Sequence, residues 1–390
     1  MESLKRITHV DVYKNGVLAG KIVKDQVGVL SFSYVGEYCG APVATTLPVN
    51  SASVTMPGGG LPSFFAGLLP EGHRLTVLRK AVKTSSDDEL SLILAIGNDL
   101  PGDVQVIPGG TKPQEQKSLV MGDVRLQDFA ALTSSVDGVG IAGVQTKASA
   151  SMVNTPVHIG GMQGILKIDP PEHPHLVANE AFHLRHAREL GIPVAKHEIV
   201  HDQVGRPGLL VQRFDRSDAG QRWAMEDAAQ LLNILPAKKY DVSAEDVVRA
   251  VQQTVSAPPV ATRNLFMQFF YAWLTGNGDL HAKNISVLQS SSGKWKVSPV
   301  YDVPSTVFYR DMTMALPVAG RIKDIRARHW EDFCASIGLR RPVMQAAAKI
   351  VFDVVKQMDL SELPFEGSAR YGAERQLRFR SLETEKLLSS

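Results

Sequence analysis

Cysteine is almost missing from this chain. Of 390 residues only Cys39 and Cys334 are cysteines, too few and too far apart for a disulfide framework, which suits a reducing compartment. Long apolar runs are missing too. No stretch approaches the ~18 consecutive apolar residues of a membrane span, and the opening "MESLKRITHVDVY" lacks the apolar stretch of a signal peptide. Neither sign of charge predominates: 42 basic against 40 acidic side chains leave +2, so any attraction to nucleic acid or a membrane would be confined to local patches. The phosphate-loop spacing Gly-x-x-x-x-Gly-Lys-Ser/Thr does not occur, and no solenoid repeat is apparent. These absences leave a soluble cytoplasmic protein, without membrane association, as the expectation.

What is present is ordinary globular sequence: 44% hydrophobic and 21% charged residues. The length allows two or three folding units. "HVDVYKNGVLAGKIV" alternates about "KNG", an Asn-Gly hairpin signal, and "VGVLSFSYV" is a further strand candidate. Helical text runs from about Arg74 to Ile96, with a Ser/Asp start before "ELSLILAI" and a glycine stop. The polar stretch "TKPQEQKS" marks a boundary near residue 110. From 120 to 215 the chain reads as short strands, among them "QGILKID", "PVAKHEIV" and "PGLLVQRFD", with one helix, "NEAFHLRHARELG". After Asp215 it turns mainly helical, through "MEDAAQLLNIL", "SAEDVVRAVQQTV", "ATRNLFMQFFYAWLTG", "RHWEDFCASIG" and "VMQAAAKIVFDVVKQMD". Strands first and helices later predict an α+β chain with two lobes.

The densest polar cluster is "GNGDLHAKN" at 276–284. It follows "NLFMQFFYAWL", which is apolar nearly all round and so reads as a buried helix. The loop delivers Asp279, His281, Lys283 and Asn284 beside a core, with four residues between Asp279 and Asn284, and "YDVPS" places Asp302 eighteen positions after Asn284. Phosphoryl transfer needs a divalent cation against the phosphates, a carboxylate to take the hydroxyl proton, and cations to offset charge. An Asp and an Asn at this spacing, then a second Asp, supply hard oxygen ligands for Mg²⁺ and a base already ionised at neutral pH. The plain alternative is a polar loop whose Asp and Asn make turns and caps.

The strand-rich half offers matching parts. Lys167 in "QGILKID" can reach phosphates, Glu180 can hold it by an ion pair, and the backbone of "AGVQTK" at 142–147 can meet phosphate oxygens. Gln212 and Phe214 in "LLVQRFD" can meet an adenine. Each has a plain counterpart: solvated surface charges, a Gly-rich turn, an ordinary edge strand.

Taken together, the residues resemble the HipA-type serine/threonine kinases, toxins of bacterial toxin–antitoxin systems. "LPSFFAGLLPEG", "LAIGNDLPGDVQV", "IAGVQTK", "ILKID" followed by "NE", "VQRFDR", "MEDAAQLLNILPAKKY", "GNGDLHAKN" and "YDVPS" stand in the family's order, over about residues 10–305. The resemblance implies a two-lobed, protein-kinase-like fold with ATP and Mg²⁺. The expected units are a β-rich N-terminal subdomain (1–110), a nucleotide-binding N-lobe (111–215) and a helical C-lobe carrying the catalytic loop (216–390). It implies Asp279 as catalytic base and Asn284 and Asp302 as metal ligands. Lys167 would contact phosphates, and Ala142, Gly143, Val144, Gln145, Thr146 and Lys147 would line the phosphate loop. Gln212, Arg213 and Phe214 would form the adenine-side hinge, with His281, Lys283 and Tyr301 completing the nucleotide site. The implied partners are a protein substrate such as an aminoacyl-tRNA synthetase, a small helix-turn-helix antitoxin, and operator DNA through that antitoxin.

One position departs from the pattern. Some family members autophosphorylate a serine just before Ile-Ala-Gly, and here that residue is Gly140, so autoinhibition at this position is impossible; Ser135, Ser149 and Ser151 lie nearby. Two rival readings remain at this level: a small-molecule kinase on the same scaffold, and a non-catalytic co-repressor partner of the antitoxin. For the second, the basic stretches 321–330 and 374–380 are candidate contacts for DNA phosphates or an acidic partner, or simply solvated helix faces.

Overall fold

The computed structural model describes residues 2–114, 120–121, 123–129, 131, 152–159, 162–217 and 219–388. The chain opens with an antiparallel sheet of five strands: β1 (His9–Lys14), β2 (Val17–Lys24), β3 (Leu30–Tyr34), β4 (Val54–Thr55) and β5 (Val104–Pro108), in the order β4-β3-β2-β1-β5. The expected Asn-Gly hairpin joins β1 to β2. Asn15 and Gly16 both have positive φ, 48° and 78°, the primed-turn geometry whose twist suits adjoining strands. The helical text at 74–96 is two helices, α2 (Gly72–Val82) and α3 (Glu89–Ile96), preceded by a short α1 (Ser63–Gly67). Lys83 in the left-handed region ends α2, and the Asp88 side chain caps α3 by accepting from the Ser91 N–H. Val10, Val12, Ile22, Phe32, Phe64, Phe65, Leu90 and Ile93 form the core between this sheet and its helices.

A second five-stranded sheet contains β6 (Val120–Met121), β7 (Val153–Ile159), β8 (Met162–Ile168), β9 (His197–His201) and β10 (Pro207–Gln212), in the order β6-β7-β8-β10-β9. The period of two along β8 decides the site. Leu166 and Ile168 enter a core with Phe129, Val153 and Leu210. Lys167, between them and paired with Leu209 of β10, must therefore point to the opposite face. That face is covered by α4 (Leu176–Ala187), whose Val177, Ala181 and Leu184 share a core with Leu209, Val211 and the helices that follow.

Those helices are α5 (Ala228–Leu231), α6 (Ala244–Thr254), α7 (Pro258–Thr275), α8 (Ala327–Ser336), α9 (Arg341–Lys356) and α10 (Gly367–Thr384). Ser243 and Asp246 form a capping box at the start of α6. As its composition predicts, α7 is buried without interruption from Leu265 to Thr275, with Phe270 edge-on to Trp330 of α8 (4.9 Å) and to Phe352 of α9 (5.3 Å). No helix among the described residues is long and apolar enough to cross a membrane.

Two expectations are corrected. "MEDAAQLLNIL" is not one helix: Met225–Asp227 form a strand, β11, paired antiparallel with β12 (Ser286–Gln289), which in turn pairs with β13 (Trp295–Val297). The helix-like pattern yields to long-range pairing. Glu226 is also drawn away, accepting from the N–H and hydroxyl of Thr45 at 2.9 and 2.8 Å. Second, the basic stretch 374–380 is not a uniformly solvated face. Arg380 is buried, donating to the carbonyls of Trp273 (2.9 Å) and Met312 (2.6 Å) with its guanidinium 4.0 Å above the Trp273 ring.

Candidate active site

The end of α7 explains both glycines of the polar loop. Gly276 has φ 74° and accepts the helix's left-handed ending, while a Cβ there would meet a Val307 methyl at 2.2 Å. Gly278 is needed for closeness, because a Cβ would lie 2.5 Å from the Thr306 hydroxyl and 2.6 Å from the Thr313 carbonyl.

Beyond them the loop divides its labour by residue. Asn277 makes the local turn, its side-chain oxygen accepting the Asp279 N–H at 2.8 Å. His281 caps the following turn, Nδ1 accepting the Lys283 N–H at 3.2 Å. Burial pushes the His281 imidazole down to about 3, with Lys239 adding to the effect, so the ring is neutral and an acceptor. The carboxylate of Asp279 accepts a hydrogen bond from the Tyr240 hydroxyl at 2.9 Å. Asn284 donates its amide to the Asp279 carbonyl at 2.9 Å, tying the two ends of the loop together. Turn and cap contacts are thus made by Asn277 and His281.

Lys167, Glu180 and Asp302 meet as an ionic triad. The Lys167 ammonium donates to both Glu180 oxygens at 2.7 and 2.8 Å and to Asp302 Oδ1 at 2.9 Å. Burial opposes the ammonium's charge, but Asp302 and Glu180 outweigh it and hold its pKa above the ordinary lysine range. Burial lifts the Glu180 carboxyl to about 7 against the pull of Lys167. Partial burial works against the charge of Asp302, but Lys167 outweighs it and holds the carboxyl below the usual range. The difference follows exposure: the Glu180 side chain is 0% exposed and that of Asp302 27%. Asp302 also has φ 56°, a left-handed backbone that is sterically costly outside glycine and turns up at constrained sites. The fields of Asp279, Glu71 and Asp302 all act on Tyr240, and those of Glu71 and Asp302 on His281, so the triad and the polar loop converge on one region.

The remaining expected residues divide. Tyr301 donates to the Lys283 carbonyl (2.8 Å), shares a hydrogen bond with Ser286 (2.7 Å), and packs its ring 5.5 Å from Phe214; the two rings form a wall beside the loop. Gln212 sits at the end of β10, its N–H bonded to the Lys196 carbonyl at 2.8 Å. Lys283 is occupied, with its ammonium on Asp227 (3.1 Å) and on the Gly67 carbonyl (2.5 Å). The Arg213 side chain is engaged within the protein. Its guanidinium joins Asp215 (2.9 and 2.7 Å) and Asp99 (2.7 Å), and Arg216 joins the same two carboxylates at 2.8 and 3.3 Å. This network fastens the end of β10 to the loop after α3. Residues 142–147 and Gly140 lie outside the described residues.

Asp302 and Asn284 together offer a donor set for a cation. Asp302 spends one oxygen on Lys167 and Asn284 spends its amide N–H on Asp279, which leaves an oxygen of each as a ligand. Among the described residues no three His, Cys, Asp or Glu side chains gather as a closed metal cage. One carboxylate and one amide oxygen fit Mg²⁺, which keeps waters and substrate phosphates in its shell, better than a cation needing an all-protein site.

Sequence reasoning missed Tyr240, Lys239, Glu71 and Asp227. All lie in stretches that carry the family resemblance, but nothing local assigns them a task; their partners are distant in the chain.

The comparisons with known proteins give a family and a fold. The HipA-like C-terminal domain matches residues 139–359 and the HipA N-terminal domain residues 10–107. The protein Y4mE of Sinorhizobium fredii is 28% identical over 86% of this chain and 87% of its own. The serine/threonine-protein kinase toxin HipA of Shewanella oneidensis is 27% identical over 82% of this chain and 80% of its own. Among solved structures, HipA from the Shewanella oneidensis MR-1 complex with HipB and operator DNA superposes with a TM-score of 0.75 at 21% identity. It covers 98% of this chain and 99% of that one.

Proposed function

The chain belongs to the HipA family of serine/threonine kinase toxins, and from that premise we propose that it is an ATP- and Mg²⁺-dependent protein kinase acting as the toxin of a toxin–antitoxin module. The observation that carries this reading is the Asp279 carboxylate, hydrogen-bonded by Tyr240, with Asn284 and the Lys167-bound Asp302 in the same region. Asp279 accepts the proton of a serine or threonine hydroxyl as that oxygen attacks the γ-phosphorus of ATP. The bond from γ-phosphorus to the bridging oxygen breaks, leaving ADP and a phosphorylated acceptor. Lys167, kept charged by Glu180, offsets charge on the phosphates. Phe214 and Tyr301 flank the nucleotide. Asn284 and Asp302 would hold Mg²⁺, which supplies charge neutralisation on the transferring phosphoryl group. The acceptor is a translation-related protein, such as an aminoacyl-tRNA synthetase. A small DNA-binding antitoxin restrains the activity, in keeping with the complex of HipA, HipB and operator DNA that the Shewanella protein forms.

Incubation with γ-labelled Mg·ATP and a bacterial lysate tests this. One dominant labelled protein is expected, with Asp279→Asn lowering its rate by about 10²-fold or more and relieving growth arrest on expression. Label confined to small metabolites would favour the small-molecule reading. Undiminished turnover in Asp279→Asn would remove Asp279 from the chemistry.

A further inference from the structure

The segment 63–71 of the N-terminal sheet unit reaches across to the polar loop at one point and to the turn beside it at another. The Gly67 carbonyl accepts from the Lys283 ammonium (2.5 Å), and Glu71 pairs with Lys239 (2.6 Å). It is seated nearby by Ser63 on the Asn233 carbonyl (3.2 Å) and by Gln230 on the Phe64 carbonyl (2.9 Å). Lys239 and Tyr240 lie on a tight turn beginning at Pro236, and the Ala282 N–H of the polar loop donates to the Lys239 carbonyl at 3.3 Å. The Tyr240 ring is gripped on two sides. The Lys239 ammonium stands 5.2 Å from its centroid, and the His281 ring meets it edge-on at 5.1 Å. Its hydroxyl then donates to Asp279 Oδ1 at 2.9 Å.

We infer that Tyr240 is a positioning residue for Asp279 and that the Glu71–Lys239 ion pair makes the N-terminal unit part of the catalytic centre by holding Tyr240 in place. The inference rests on Asp279 being the base, as proposed above. A carboxylate on a short side chain can rotate, and proton transfer from an acceptor hydroxyl demands one orientation; a donor fixed on a separate element selects it. Burial and the Asp279 charge raise the phenol's pKa far above its ordinary value, so the hydroxyl stays a donor throughout the working range. Lys239 is 13% and Glu71 33% exposed, so the ion pair is partly shielded from water. The consequence is regulatory as well as mechanical: anything that lifts segment 63–71 off the polar loop slows the chemistry without touching the nucleotide.

The test measures transfer of labelled γ-phosphate from Mg·ATP to lysate protein, with the rate at saturating ATP and the half-saturating ATP concentration recorded separately. Tyr240→Phe is expected to lower the maximal rate about 10-fold or more while the half-saturating concentration stays within about 2-fold. Glu71→Ala is expected to cost about 3- to 10-fold alone, and less than about 2-fold in the Tyr240→Phe background, since both act through one hydroxyl. Glu71→Asp, which keeps the ion pair, should restore most of the rate. A wild-type rate in Tyr240→Phe overturns the inference, as do fully multiplicative losses with Glu71→Ala or a change confined to the half-saturating ATP concentration. If Asp279→Asn is inactive while Tyr240→Phe is unimpaired, the positioning role fails and the catalytic reading stands. If Asp279→Asn turns over normally, the catalytic reading fails and the inference goes with it.

Discussion

Replacing Lys167 with methionine removes one ammonium and leaves a side chain of similar length. The consequence follows from burial. Glu180 has no exposed side-chain surface and Lys167 only 11%, so water cannot solvate what the substitution leaves behind. Removing one partner of a buried pair costs about 3–5 kcal/mol. The upper part of that range applies here, because the lysine answers two carboxylates, Glu180 and Asp302. Glu180→Met is gentler, at about 1–3 kcal/mol, since Lys167 keeps Asp302, whose side chain is 27% exposed. In the double variant no unpaired charge remains in the closed part of the site, so its cost should fall short of the sum by about 2 kcal/mol. Urea unfolding of the ligand-free protein, followed by tryptophan fluorescence, measures all three. The probe is well placed: Val177, Ala181 and Leu184 of the Glu180 helix share one core with Trp273 and Trp330. Additive costs, or a Lys167→Met penalty below about 1 kcal/mol, would refute the claim that this triad is an energetically coupled buried unit.

Two further outcomes follow from the same geometry. Gly276→Ala should destabilise by about 2–4 kcal/mol, combining left-handed backbone strain with overlap on Val307. Gly278→Ala, which collides with the Thr313 carbonyl, should cut the transfer rate by about 10²-fold through displacement of Asp279; unfolding curves and initial rates distinguish the two, and a silent Gly278→Ala would refute the close-approach argument. The junction at Asp99 and Asp215 should be acid-labile. Asp215 is buried and Asp99 partly so, yet Arg213 and Arg216 hold both carboxyls below the usual range, with Arg222 and Arg74 also facing Asp99. Depressed folded-state values contribute stability that is present above the unfolded value of about 4 and lost as pH falls below it. The contribution of this junction, read as the difference in urea midpoint between the wild type and Asp99→Asn, should therefore hold from neutrality down to about pH 5 and shrink below about pH 4; a difference that does not shrink in acid would show that the network does not govern the acid limb.

Much of the polar loop was legible because its logic is local. A helix apolar all round must be buried, a glycine must end it in the left-handed region, and the spacing from Asp279 to Asn284 closes a turn whatever surrounds it. The alternation Leu166–Lys167–Ile168 likewise commits Lys167 to the face opposite its neighbours. The strand at Met225–Asp227 was not legible, because its three residues carry a helix-like pattern and are recruited by a partner strand at Ser286–Leu288. The partner of the Arg213 side chain was not legible for a similar reason: its acceptor Asp99 is 114 positions away, and no feature near Arg213 announces it.

By itself, then, the amino-acid order determined the pieces: the hairpin turn, the buried helix and its glycine exit, and carboxylate and amide side chains at set spacing in the loop that follows. Only the tertiary structure decided which charges face the site and which are consumed in holding it. Lys167 meets Asp302 across 135 positions, Lys239 meets Glu71 across 168, and Lys283 meets Gly67 across 216. The physical reason is that periodicity and turn preference act within a few residues, whereas a buried charge is governed by whichever opposite charge the folded chain brings within about 3 Å of it.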